Sequence, residues 1–297
     1  MRVKKQLNCP SILCIDDENK CSTALEFFSS LTNYVIRDYD LEISFVGCKT
    51  ITPTAALLLF STVNYIQLKY GFNRINILNL SIGNRLTYDL TLAKSGLWDA
   101  LNCKCPDDVE ALIKNNNRFK TSCEPKIIGN VKSILDTIPS LSQDHIFFLT
   151  LAMREAILNV VYHAYIDADG NQNADELGNR WWQCAWVNKK EMIVNIIIHD
   201  RGVGILGSYK KDGFSEIEII KEAMMQGFSR SGLANRGMGS EDMKKPVDEL
   251  SGDQELTMYT GKYVYTYNLS QLEPSIVQRE FEICGTLIHW KCSYGSA

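Results

Sequence analysis

The chain has 297 residues, 45% of them hydrophobic and 22% charged, with a net charge of −4 and a pI near 5.7. This is the composition of a globular protein, long enough for two domains of ordinary size, and not of a disordered, collagenous or repetitive one. The acidic balance argues against nucleic acid as a partner, because the basic clusters "RVKK" and "MKKP" are too short to form a general field for phosphate backbones.

The opening "MRVKKQLNCPSILCIDDENK" reaches aspartates before any apolar run long enough for a signal peptide. The apolar stretch "TPTAALLLFSTVNYI" is interrupted by Thr, Ser and Asn and falls short of a membrane span. The expectation is a cytoplasmic protein that does not engage the membrane. "SILCID" reads as a buried strand, "STALEFFSSLTNYVI" as a helix and "DLEISFVG" as a strand. A helix from Pro53 to Tyr70 stops at Gly71, "RINILNL" is a third strand, and "YDLTLAKSGLWDAL" is a further helix. Strands alternating with helices imply an α/β unit with crossover connections. The polar run "NCKCPDDVEALIKNNNRFKTSCEPK" then suggests a domain spanning residues 1–114, a linker over 115–127 and a second domain over 128–297. Cys14, Cys184, Cys284 and Cys292 lie inside apolar segments, no C-x-x-C pair occurs, and Cys103 and Cys105 form only C-x-C. Cysteine therefore reads as a small buried hydrophobe here, not as a disulfide or zinc framework.

The second half opens on a long helix, with Ser140 and Gln143 at capping-box spacing and "HIFFLTLAMREAILNVVYHAY" continuing unbroken to about Tyr165. The insertion "IDADGNQNADELGNR" reads as a solvated loop, since Gln172 and Gly178 stand where a calcium loop needs Gly and Glu. "WWQCAWVNKKEMIVNIIIHD" gives two strands around a turn at Asn188 to Lys190. "FSEIEIIKEAMMQ" and "GSEDMKKPVDEL" read as helices, with Pro246 near an end or kink, and "QELTMYTG", "KYVYTYNL" and "REFEICGTLIHWKC" as strands joined by turns.

Two features carry chemistry. On the long helix Glu155, Asn159 and His163 follow one another at i, i+4, i+8, which keeps them within one stripe of roughly 80° on an otherwise apolar cylinder. Such polar groups face solvent, an internal hydrogen-bond network or a ligand. As a ligand site, Asn159 would offer its carbonyl oxygen to Mg²⁺, and Glu155 would orient and deprotonate a water or hydroxyl that attacks a phosphate. The second feature is "IVNIIIHDRGVGILG", a strand running into Gly202, Gly204 and Gly207 at G-x-G-x-x-G spacing. A dinucleotide-binding turn needs a following strand that ends in an acidic residue, and "SYKKDGFSEIEII" supplies a polar loop and a helix instead.

"REAILNVVYHAY" resembles the N-box of the GHKL superfamily of ATPases and kinases, and is most similar to that of the anti-sigma-factor serine kinases. "HDRGVG" resembles their first glycine box, "GFSRSGLANRGMGS" the lid and second glycine box, and "CGTLIHW" the terminal G-T strand, all in family order. The resemblance implies a C-terminal α/β sandwich in which helices cover a mixed sheet and ATP is held with Mg²⁺. It implies that Asp200 accepts a hydrogen bond from the adenine amino group, that Gly202 and Gly204 pass close to the base, and that Thr286 joins Asp200. It further implies that Gly237 and Gly239 present N–H groups to the triphosphate, while Arg230 and Arg236 pair with phosphate or face solvent. Glu155 would be catalytic and would reach the metal through water, with Asn159 as its direct ligand and His163 in the ATP-binding set.

The first domain, through "EISFVGCKTITPTAALLLFSTVNYIQLKYG", resembles the STAS fold, a docking or regulatory module. The D-S-S-G loop of the anti-anti-sigma members is replaced by "KTITPTA", which leaves Thr50, Thr52 or Thr54 as candidate phosphoacceptors. The combined expectation is a two-domain α/β protein that acts as a regulatory switch with a protein partner, as a monomer or a homodimer. It would hydrolyse ATP slowly or phosphorylate Ser/Thr on the partner; the alternative is a nucleotide-gated binding module without turnover.

Overall fold

A computed structural model describes residues 2–78, 95–115, 117–124, 135, 138, 141–225 and 239–294. The protein is mixed α/β, with both parallel and antiparallel strand pairing. It divides into two compact units, Met1–Thr121 with Trp182–Trp186, and Ser122–Trp181 with Val187–Ala297.

In the first unit the order is β1 (Lys4–Asn8), β2 (Ile12–Leu13), α1 (Glu18–Ile36), β3 (Asp40–Ser44), β4 (Thr50–Ile51), α2 (Pro53–Tyr70), β5 (Ile75–Leu78), α3 (Leu97–Leu101) and α4 (Pro106–Lys114). Strands β1, β3 and β5 form a parallel sheet in that order, and β2 pairs with β4, also in parallel. Parallel neighbours need crossovers, and α1 and α2 supply them. Helix α1 starts where the Asp17 carboxylate accepts the Asn19 N–H at 2.9 Å, and it buries Ala24, Leu25, Phe28, Leu31 and Val35 along one side. Helix α2 has the boundaries read from the sequence: Pro53 fits its first turn and Gly71 ends it. Every residue from Thr54 to Asn64 is buried, so α2 is a core helix rather than an amphipathic one.

Strand β1 was not expected from the sequence. It is an edge strand whose residues alternate in exposure, and its Lys4 reaches Glu42 of β3 at 2.7 Å, so its basic residues occupy the sheet margin. Of the helix expected over "YDLTLAKSGLWDAL", Leu97–Leu101 is helical and most of the rest lies outside the described residues. Inside the stretch read as a linker, Phe119–Ser122 forms strand β6 with Phe119, Lys120 and Thr121 buried. Just before that stretch, Pro106 and the acidic Asp107 and Asp108 open a helix, α4, that the polar composition had concealed.

Arg74 fastens this unit. Only 4% exposed, it donates to the carbonyls of Val35 (3.1 Å), in the last turn of α1, and Tyr39 (2.9 Å), just before β3, and it lies 3.2 Å from Asp38 and 3.0 Å from Asp40. Arg74→Met is expected to cost about 2–3 kcal/mol in a chemical denaturation midpoint, because charged donors leave buried carbonyls behind. Arg74→Lys recovers little of it, since an ammonium cannot fork between the four acceptors.

The second unit carries α5 (Gln143–Asn159), a π turn (Val160–Ala164), β7 (Trp181–Asn188), β8 (Ile193–Asp200), α6 (Gly204–Ser208), α7 (Glu216–Ala223), α8 (Gly239–Glu249), β9 (Gln254–Tyr267) and β10 (Ser275–Ser293), the middle of β7 being counted with the first unit. Within this unit β10 lies between β8 and β9 and runs antiparallel to both, with Leu287 opposite His199 on one side and Tyr259 on the other. The N-cap of α5 is Ser142, whose hydroxyl accepts the His145 N–H at 3.2 Å. This displaces the Ser140 cap read from the sequence, and Ser140 itself lies outside the described residues. "QELTMYTG" and "KYVYTYNL" are not two strands joined by a turn but one, because Gly261 (φ +54°) sits at a bulge opposite Ile283 rather than in a hairpin loop.

The segment Gln143–Ala164, with a mean hydropathy of 1.3, is the one helix among the described residues that is long and apolar enough to cross a membrane. Within the second unit its Leu149, Ala152, Met153, Ala156 and Ile157 are buried, and it packs along α8, the arrangement of a core helix. Trp290 of β10 closes that core by donating its indole N–H to the Met243 carbonyl of α8 at 2.7 Å.

Candidate functional site

Strand β8 ends in Asp200, and the chain there is locked by hydrogen bonds from both sides. One carboxylate oxygen, Oδ1, accepts the Gly202 N–H at 2.8 Å and the Thr286 N–H at 3.3 Å. The other has no hydrogen-bond partner among the described residues. Asp200 is only 4% exposed, and burial pushes its carboxyl up to about 7, with the two backbone donors pulling the other way. The neighbouring His199 is pulled down to about 3 by the same burial, so the imidazole is neutral at physiological pH. Beyond Asp200, the Val203 N–H donates to the Ala164 carbonyl at the end of the π turn (2.7 Å), and the Ile205 N–H to Thr260 Oγ1 (3.0 Å). Tyr165 completes the surround: its hydroxyl donates to the Arg180 carbonyl at 2.6 Å and accepts the Arg201 N–H at 3.3 Å.

Two glycines make this junction possible. A Cβ on Gly202 would overlap the Ala164 carbonyl, so the close approach that the sequence reading assigned to a base is made to the helix end. Gly285, in the left-handed region at φ +77°, faces the Asp200 backbone, and a Cβ there would overlap the Asp200 carbonyl oxygen. Gly285→Ala is expected to cost about 2–4 kcal/mol, from an enforced left-handed alanine and an overpacked contact together. Gly213→Ala, at φ +82° with nothing near the added methyl, isolates the first effect. Thermal denaturation of the pair measures the difference.

At the other end, Glu155 and Asn159 are half-buried on α5 and lie against the start of α8. A Cβ on Gly239 would come within 3.3 Å of Glu155 Oε2. Burial raises the Glu155 carboxyl above its ordinary value, Arg154 opposes the shift and the Asp242 charge adds to it. The carboxylate has no hydrogen-bond partner among the described residues. Asn159 turns its amide nitrogen toward Met243 Sδ at 3.9 Å, which leaves Oδ1 without a partner among the described residues.

His163 lies in the π turn and is exposed, where Glu155 and Asn159 are half-buried. The helix leaves α register at Val160, and the 100° step on which the three-residue stripe was calculated no longer applies. Thr286 is at Asp200, through its backbone N–H. Gly204 is next to Thr260 at the start of α6, and Gly239 beside Glu155 opens α8. Arg230, Arg236 and Gly237 lie outside the described residues. The sequence reading missed Ala164, Tyr165, Gly285, Thr260 and Met243. Ala164, Tyr165 and Gly285 sit inside the stretches "YHAY" and "CGT" that were already singled out, whereas nothing in sequence brings Met243 to Asn159.

In the first unit, Thr54 is buried and donates to Asp16 at 2.6 Å, with Thr52 Oγ1 3.1 Å away, while Thr50 is exposed. The insertion between Ala164 and β7 is organised around Asp167, which accepts the N–H groups of Asp169 (3.0 Å) and Asn171 (2.8 Å) together with the amides of Asn171 and Asn173 (3.1 Å each). These donors hold the Asp167 carboxyl down at about 2, so its acceptors are spent within the loop. No protein-family model and no curated protein matches this chain.

Proposed function

We propose that the second unit is an ATP-binding domain of the GHKL type, in which the purine amino group meets the free oxygen of Asp200 and the phosphates lie toward Asn159 and the start of α8. The observation that carries the reading is the state of Asp200: a buried carboxylate whose one oxygen is saturated by two backbone donors and whose other is left to a donor from outside. A buried acceptor with one oxygen left for an outside donor suits an exocyclic amino group. Asn159 fits Mg²⁺, because its amide nitrogen is turned to Met243 and its hard carbonyl oxygen is free; a single protein oxygen suffices for an ion that keeps waters and takes phosphate oxygens. When bound, the ion neutralises phosphate charge and fixes its orientation.

Glu155, half-buried with a raised affinity for protons, would serve as the general base toward a water or a partner's hydroxyl. The reaction class is thus phosphoryl transfer from ATP, to water slowly or to Ser/Thr of a regulatory protein in the cytoplasm. The first unit serves as the STAS-like docking module. Its buried Thr54 is engaged with Asp16, which leaves Thr50 as the most accessible of the three threonines for phosphate. Calorimetric titration of the full chain with ATP and Mg²⁺ tests the reading: saturable binding that GTP does not reproduce supports it, and no binding overturns it.

A further inference from the structure

The long helix does not keep one register to its end. From Val160 to Ala164 it changes to i→i+5 hydrogen bonding, which encloses one residue more per ring than the α-helix preceding it. The change delivers the Ala164 carbonyl: this oxygen accepts the Val203 N–H at 2.7 Å and lies so close to Gly202 that no side chain fits there. Gly202 in turn gives its N–H to Asp200 Oδ1 at 2.8 Å. On the other side of the register change, the last α-helical residue is Asn159. Both ends of the site therefore hang on five residues. Returning them to α register would rotate every later group about the helix axis and carry the Ala164 carbonyl away from Val203.

We propose that the π turn Val160–Ala164 is a positioning element that fixes the Asp200–Gly202 loop relative to the Glu155–Asn159 ridge, so that both engage one nucleotide. The proposal takes its ligand from the ATP reading, while the hydrogen-bond chain from Ala164 to Asp200 stands independently of it. Asp200 is faced by Tyr165 just beyond the turn and by Cys284 of β10, and is flanked on its own strand by neutral His199 and by Arg201. None of these supplies the hydrogen bond that Gly202 gives.

Deleting Tyr162 removes one residue from the turn and lets it close in α register. Tyr162→Ala keeps the residue count and removes only a side chain that is 57% exposed. Two readouts are taken on the full chain: the Asp200 titration by carboxyl-carbon NMR without ligand, and ATP affinity with Mg²⁺. Tyr162→Ala is expected to match the wild type in both. The deletion is expected to weaken ATP by at least about tenfold and to raise the Asp200 midpoint by about one pH unit, as the Gly202 donor is lost. Loosened packing would move that midpoint the other way, because burial is what raises it. A folded deletion variant with wild-type titration and affinity overturns the proposal. If the deletion does not fold, Val203→Pro decides: the φ of −79° tolerates proline, the N–H that bonds Ala164 is removed, and the same two shifts are expected. Wild-type values there overturn the proposal equally. Absence of ATP binding by the wild type overturns the functional reading alone, because the titrations still judge the turn.

Discussion

Asp200→Asn is expected to weaken ATP binding by about 10- to 100-fold, the value of a hydrogen bond to a charged acceptor. The substitution keeps an oxygen for Gly202 and Thr286, but places a second N–H donor against the incoming amino group. The same change acts on stability with the opposite sign. In the folded protein the Asp200 carboxyl is raised to about 7, so between about pH 4 and pH 7 the folded state holds a proton that the unfolded state has released. Stability at this residue is thus full at low pH and is lost as pH rises through that window. Asn removes the decline, and the variant is expected to melt higher than the wild type at pH 8 while binding ATP less well. ATP affinity of the wild type should improve from pH 5.5 to 7.5, since the ionised carboxylate is the better acceptor, with proton release seen as a buffer-dependent calorimetric heat. A variant that binds ATP as the wild type does, with a flat pH profile in both, would remove Asp200 from the site.

Glu155→Ala is expected to lower phosphate release or partner phosphorylation by about 10²–10⁴-fold, the range for loss of a positioned general base. ATP affinity should change by no more than a few-fold, because the carboxylate makes no hydrogen bond within the described residues. Separate measurement of binding and turnover distinguishes a lost base from a collapsed site. Turnover at the wild-type rate in Glu155→Ala would refute the catalytic role. Binding with no turnover in the wild type, partners included, would reduce the domain to a nucleotide-gated switch.

The parts of the fold legible in the sequence were those governed by local chemistry. Helix α2 follows from its terminal Pro and Gly and its unbroken apolar run, and β7 and β8 from their flanking turn. What escaped depends on contacts distant along the chain. Strand β1 is held by its pairing with β3 despite a basic sequence, and β6 sits in a stretch whose asparagines and prolines read as linker. The change of register at Val160 has no signature in propensity, because Val, Tyr and His are as acceptable in one winding as in the other. The site divides the same way. Asp200, Glu155 and Asn159 could be chosen from residue type and spacing, but which atoms of Asp200 are occupied and which way the Asn159 amide turns are set by Thr286, Gly285 and Met243, each more than 80 positions away from the residue it governs.

The indole of Trp290 also gives the molecule an optical handle. It is bonded to the backbone of the residue whose sulfur meets Asn159, so a shift of that helix on occupation of the site would alter the polarity and hydrogen bonding of a buried chromophore. With Trp98, Trp181, Trp182 and Trp186 replaced by Phe, the remaining emission would follow the Asn159 end of the proposed site in real time, without a label.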